Sequence, residues 1–275
     1  MLSFSLLVLF VAQANAQISP GIYRIGNLQT QQILASQSGG NIQGLGGNGA
    51  SGQAWFMTPA SGGQVTIQNA QSLQFMSISG APANDSVLVP SSTPFPWTLQ
   101  SNSITVPSPT GPFFVTAFSA PNLGLSLKPF LSQAGEWAIN AITPVPANYL
   151  LSNTDNGLAL AAPFGGVNAV IADPRNASHL WRLAGTGPGS SAGTLQNVKT
   201  GRFLDVNGGV LTTGTSTQQW SLSLSGGAAR LSQSFASPPN VVSVTSTGAV
   251  ILDNAGATGD HQFWTFIPSD TSIAV

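Results

Sequence analysis

Six tryptophans, Trp55, Trp97, Trp137, Trp181, Trp220 and Trp264, recur along this chain at steps of 42, 40, 44, 39 and 44 residues. So constant a step marks one structural unit repeated six times. Two residues beyond each tryptophan stands an apolar side chain: Met57, Leu99, Ile139, Leu183, Leu222 and Phe266. A period of two describes a half-buried strand, so each unit should close on a strand that aims its tryptophan inward. A tryptophan that recurs at one position of every unit is core material rather than a ligand contact.

The six units group as three plus three. Trp181 lies 126 residues after Trp55, Trp220 lies 123 after Trp97, and Trp264 lies 127 after Trp137. The two tyrosines, Tyr23 and Tyr149, are again 126 apart. Four units open on a strand ending apolar-x-Asn, at Asn27, Asn69, Asn153 and Asn197, which stand 28, 28, 28 and 23 residues before their unit's tryptophan. Between the halves, Thr143-Pro144-Val145-Pro146 interrupts strand pairing and holds the chain extended. So short a linker implies that the halves touch. Gly- and Pro-rich clusters such as Gly46-Gly47-Asn48-Gly49, Pro94-Phe95-Pro96 and Gly185-Thr186-Gly187-Pro188-Gly189 read as turns, and no window sustains a helical period. The fold class is therefore all-β. Six blades of a propeller would fit the count, but the doubled offset and the proline break favour two units of threefold symmetry: tandem β-trefoils over residues 17–142 and 147–269.

Ahead of these, Leu2 to Ala12 is an uncharged apolar run followed by Ala14-Asn15-Ala16, a small-x-small pattern. Residues 1–16 read as a secretory signal peptide with maturation at Gln17, although the leader carries no Lys or Arg. No apolar stretch is long enough for a helical membrane span. Removing 16 of 275 residues leaves 259, enough for two domains with cores that need no disulfide. Absence of cysteine excludes thiolate zinc, and only His179 and His261 are present, so no metal and no other cofactor is expected. The chain carries fifteen Asp, Glu, Lys and Arg and a net charge of −1, which offers no basic surface for nucleic acid. Eleven of those fifteen charges fall in the second half, leaving the first with Arg24, Asp85, Lys128 and Glu136. Catalysis is not expected either. Glu136 is the only glutamate, and neither histidine has an evident Ser and Asp partner.

Gln53-Ala54-Trp55, Gln218-Gln219-Trp220 and Gln262-Phe263-Trp264 are Gln-x-Trp motifs, and the segments around them resemble the ricin B-type lectin family, the stretch from Gly21 to Trp55 being most like a fungal member. The resemblance implies two tandem β-trefoils over nearly the whole mature chain. It also implies where sugar would bind: an acidic residue after a unit's second strand, an aromatic platform on the third, and a polar group just before the Gln of Gln-x-Trp. The acidic position is Asp only in the fifth unit, at Asp205; Ala35, Ser77, Ala161 and Ser243 match it elsewhere. Taken ten residues before each tryptophan, the platform position reads Leu45, Val87, Leu127, Ile171, Val210 and Asn254, with no ring among them. The group before the glutamine is Gly52, Thr217 or His261.

The candidate carbohydrate-binding residues are therefore Asp205, Asn207 and Gln218, with Phe203 or Phe235 as rings that a neighbouring loop could supply. The bland alternative for Asp205 is pairing with Lys199 or Arg202, or capping the turn at Gly208-Gly209. Asp253, Asn254, Asp260 and His261 form a second polar cluster, in the sixth unit, whose composition is also that of ordinary turns. Asn84-Asp85-Ser86 and Asn176-Ala177-Ser178 are glycosylation sequons. The expected function is a secreted, non-catalytic protein binding extracellular or cell-wall glycans. The alternative is a trefoil that binds protein, such as a protease inhibitor, through long Pro-rich loops at Ser91 to Pro96 and Pro107 to Pro112.

Overall fold

Strands account for nearly all regular structure in the computed structural model, which describes residues 18–269 apart from 38–40, 49, 119–123, 145–146, 165, 186–190, 234–238 and 256–259. The leader expected over 1–16, the second half of the proline linker, most of the turn at 185–189 and Phe235 lie outside the described residues. The first half forms β1 (Gly21–Asn27), β2 (Ile33–Ser36), β3 (Ile42–Leu45), β4 (Trp55–Pro59), β5 (Val65–Asn69), β6 (Phe75–Ile78), β7 (Leu88–Ser91), β8 (Thr98–Gln100), β9 (Ser103–Val106), β10 (Phe113–Ala117), β11 (Leu125–Lys128) and β12 (Trp137–Ala141). The second forms β13 (Ala147–Asn153), β14 (Ala159–Ala161), β15 (Asn168–Val170), β16 (Leu180–Gly185), β17 (Ala192–Asn197), β18 (Phe203–Asn207), β19 (Val210–Gly214), β20 (Trp220–Ser225), β21 (Ala228–Gln233), β22 (Asn240–Val244), β23 (Val250–Asn254) and β24 (Phe263–Pro268). Among the described residues the only helices are single 3-10 turns, four of them immediately before a tryptophan strand.

Each half closes on itself. In the second, β13, β16, β17, β20, β21 and β24 pair successively, and β24 returns to pair with β13, with Trp264 opposite Asn153. In the first, β12 returns to β1 with Trp137 opposite Asn27, and the four-stranded sheet β8–β11 joins the ring through an isolated bridge between Val65 and Trp97. Closure removes the exposed edges that an open sheet would present. The remaining strands form three hairpins per half: β2–β3, β6–β7 and β10–β11, then β14–β15, β18–β19 and β22–β23. Six closed strands and three hairpins built from a threefold repeat are consistent with two β-trefoils in tandem.

All six tryptophans are at most 1% exposed. Burying an indole also buries its N–H, which must then find an acceptor. The solution is the same in every repeat. The indole Nε1 donates to a carbonyl on the repeat's own second strand: Leu34, Met76, Val115, Leu160, Leu204 and Val242, at 2.8–3.1 Å. The bond fastens the first strand of each hairpin to the tryptophan strand that closes the repeat.

The four repeated asparagines act across repeats. Each Nδ2 donates to two carbonyls flanking the residue two before a tryptophan, at 2.8–3.3 Å: Asn27 to Ala134 and Glu136, Asn69 to Gly52 and Ala54, Asn153 to His261 and Phe263, Asn197 to Ser178 and Leu180. Each Oδ1 meanwhile accepts a backbone N–H two or three residues on, forming an Asx turn. The partner tryptophan therefore belongs to the preceding repeat, or to the last repeat of the ring, rather than to the asparagine's own. All four asparagines are buried, and the spacing regularity seen in the sequence marks a staple between neighbours.

The two halves pack together. Ile22, Ala54, Phe56 and Ala70 of the first half join the buried cluster built around Tyr149, Trp181, Trp220, Trp264 and Phe266 of the second. At the seam the backbones of Gly21 and Gly227 approach so closely that a Cβ on either would overlap the other's main chain. Only glycine permits that approach.

Trp220→Ala should remove about 3–5 kcal/mol from the second half through lost burial and a cavity. Denaturant melts measure it. A loss below about 1 kcal/mol would place Trp220 outside the core.

Candidate functional site

The indole bond fixes the register that locates a site. The residue following each acceptor carbonyl starts the outward course of the hairpin, and in the six repeats it is Ala35, Ser77, Thr116, Ala161, Asp205 and Ser243. All but Asp205 are small or hydroxylic and buried. Asp205 is half-buried on β18, flanked by the inward Leu204 and opposite Thr212 of β19. Its Oδ1 accepts the Val206 N–H at 2.8 Å. Its Oδ2 lies against the α-carbon of Gly214, where any side chain would collide with it, and takes no hydrogen bond among the described residues. Neither Lys199 nor Arg202 pairs with it; among the described residues the ion pairs are Lys128–Asp85 and His261–Asp155.

β18 turns into β19 through Gly208 and Gly209, with φ of 58° and 81°. Positive φ at both central residues is the two-residue turn that matches strand twist, and it explains why glycine holds both places. Asn207 is exposed at the tip opposite Val210, which is itself exposed. Gln218 is half-buried, and its Nε2 donates to the carbonyl of Gln219 at 3.1 Å. The Trp220–Leu204 bond ties the Gln218 loop to the strand bearing Asp205. The other two motif glutamines do a different job. Gln53 donates to Gly46 and accepts from Asn48, and Gln262 donates to Asn254, each buried and bracing its own loop.

Counting ten residues back from each tryptophan does not select equivalent platform positions, because the segments between third strand and tryptophan differ in length. Strand register places Gln43, Val89, Ser126, Asn168, Thr212 and Ile251 opposite the six hairpin positions. None is aromatic in this register either. Leu127 is fully buried, whereas Val87, Ile171 and Val210 are exposed. Phe203 is half-buried at the start of β18. Sequence reasoning passed over Phe164, which is 93% exposed beside the fifth repeat: Lys199 lies 5.6 Å from its ring centre, and Gly166, two residues on, bridges to Thr212.

In the sixth-repeat cluster, Asp253 and His261 are both engaged within the protein. Asp253 accepts from the Asn254 N–H at 2.7 Å and from Gln262 at 3.4 Å, and His261 Nδ1 meets Asp155 at 2.8 Å. His179 is buried, and its Nδ1 accepts the Asp173 N–H at 3.2 Å. Burial pushes the pKa of His179 below its ordinary value, opposed by the nearby Asp173 carboxylate. Both sequon asparagines are exposed, Asn84 beside Asp85 and Asn176 capping a 3-10 turn by accepting from Ser178. Among the described residues no group of three His, Cys, Asp or Glu is gathered that could hold a metal ion, and no helix is long and apolar enough to cross a membrane.

Residues 134–220, which hold three of the six tryptophans together with Asp205, Asn207 and Gln218, match the model of the family described as ricin-type β-trefoil lectin domain-like. No curated protein matches the chain. Among solved structures it is similar to a Macrolepiota procera ricin B-like lectin in complex with lactose, at 21% identity over 45% of this chain and 98% of that one, with a TM-score of 0.41. It is similar also to the Rhizoctonia solani agglutinin, at 20% identity over 44% of this chain and 95% of that one, TM-score 0.40. A mosquitocidal holotoxin matches 94% of this chain over 35% of its own, at 16% identity and a TM-score of 0.42. The likeness to ricin B-type lectins expected from the Gln-x-Trp motifs is thus found in the family match over residues 134–220.

Proposed function

We propose that this is a secreted, non-catalytic carbohydrate-binding protein that takes extracellular or cell-wall glycans through its fifth repeat. One observation carries the reading. Of six equivalent hairpin positions, five are small and buried, and the sixth, Asp205, presents a carboxylate oxygen with no hydrogen-bond partner among the described residues. A carboxylate there can accept hydrogen bonds from two adjacent sugar hydroxyls, and Asn207 and Gln218 stand ready to add amide contacts. The family match over the same stretch supports this ligand class.

Without a ring on β19 the site lacks the stacking contact between an aromatic face and a sugar's C–H groups. A single site should therefore bind on the order of millimolar, about −4 kcal/mol. A second weak site on the adjacent domain would add avidity on a polymer. The non-catalytic reading is supported by the single glutamate, Glu136, and by His179, buried with its Nδ1 accepting the Asp173 N–H.

On a polysaccharide pull-down and glycan array, Asp205→Ala should lose binding that the wild type retains through this repeat. Equal binding by the two proteins would remove Asp205 from the site, and no binding by either would turn the assignment toward a protein partner such as a protease. Secretion has its own test. Expressed in a eukaryotic secretory host, the protein should start at Gln17 and lose mass on glycosidase treatment, through glycans on Asn84 and Asn176. An intact leader and an unchanged mass would contradict both assignments.

A further inference from the structure

The seam between the two halves forms an open cleft of about 620 Å³. One wall comes from β4, through Phe56 and Thr58; another comes from β24, through Phe263, Thr265 and Ile267; the β20–β21 turn contributes Ser225 at the mouth. Alternation along β24 explains that wall: Trp264 and Phe266 point into the core, so the residues between them face the seam. No side chain of the lining carries a charge. The volume is that of a small-molecule site, and such sites favour domain junctions.

Three side chains bring hydroxyls to this lining, Thr265 at 9% exposure, the half-buried Thr58 and the exposed Ser225, and none of the three makes a side-chain hydrogen bond among the described residues. On these grounds we propose that the interdomain seam is a second binding site, whose ligand is a neutral saccharide. The argument is one of complementarity. An ion would meet no opposite charge. A wholly apolar ligand would leave the three hydroxyls unpaired. A sugar presents C–H faces to Phe56, Phe263 and Ile267 and hydroxyls to Thr58, Thr265 and Ser225. Arg230 stacks on the Phe263 ring, 4.7 Å from guanidinium to centroid, and holds it in place.

The saccharide class rests on the carbohydrate-binding reading, but the seam shares no residue with Asp205, Asn207 or Gln218. The test is saturation-transfer NMR and calorimetry on the full mature chain with lactose, maltose and cellobiose. Four proteins are compared: wild type, Asp205→Ala, Thr265→Val, which deletes one hydroxyl at nearly constant shape, and Ser225→Trp, which crowds the mouth from an exposed turn. Thermal melts confirm that each variant folds as the wild type does. Asp205→Ala should retain a binding component that Thr265→Val weakens about tenfold and Ser225→Trp abolishes. Binding that vanishes in Asp205→Ala and is untouched by both seam variants overturns the seam site and leaves the fifth repeat standing. Binding that survives Asp205→Ala in full and is lost in both seam variants supports the seam and removes the fifth-repeat assignment. If the wild type binds none of the three disaccharides, or if the uncharged apolar dye Nile red alone occupies the seam, the proposal is overturned.

Discussion

One hydrogen bond, repeated six times, organises this protein: an indole N–H donated to a carbonyl of the same repeat's second strand. Tryptophan is the largest apolar side chain available, and removing it from water is a leading contribution to the core of a repeat of this size. The same burial would strand a donor if no acceptor were aligned with it. Satisfying that donor sets where the second strand must pass, and hence where its hairpin leaves the core. The asparagine staples then connect one repeat's tryptophan turn to the next repeat's first strand. Asn27 and Asn153 do this across 107 to 110 residues of chain, closing their rings.

Because stability resides in these buried bonds, the hairpins are free to vary. The fifth is the tightest, turning through Gly208 and Gly209, and its indole bond spans 16 residues where the others span 21 or 22. It is also the hairpin that carries an acidic residue at the first outward position. The others place Ala, Ser or Thr there and bury it, which leaves no exposed polar group at that position. Function, on this account, is a local departure from a repeated plan, and its location follows from the one place where the plan was relaxed. The seam departs from the plan in a second way, since it exists only because two rings were joined and pressed together through Gly21 and Gly227.

Much of this was legible in the sequence. The tryptophan period gave six units, the 126-residue offset gave two groups of three, and the Gln-x-Trp motifs led to the family that the match over 134–220 now supports. Asp205 stood out because its counterparts are neutral. Other features were hidden for physical reasons. The asparagine spacing was visible but its partner was not, since the bond runs between repeats distant in sequence. The platform position was misplaced because counting ten residues back assumes equal segments between third strand and tryptophan, whereas the register residues stand 12, 8, 11, 13, 8 and 13 residues before their tryptophans. Phe164 was missed because its neighbour in space, Lys199, belongs to the next repeat. The seam had no signature at all: Gly21 and Gly227 are two glycines among 31, and nothing local says that they meet.

The central claim is that all six indole N–H groups are locked in buried hydrogen bonds that open only with their ring. Hydrogen exchange followed at the six indole N–H resonances tests this directly. The account predicts six slowly exchanging signals, those of Trp55, Trp97 and Trp137 sharing one opening free energy and those of Trp181, Trp220 and Trp264 sharing another, each near the unfolding free energy of its half. Fast exchange at any one of them, or six unrelated rates within a half, would contradict it.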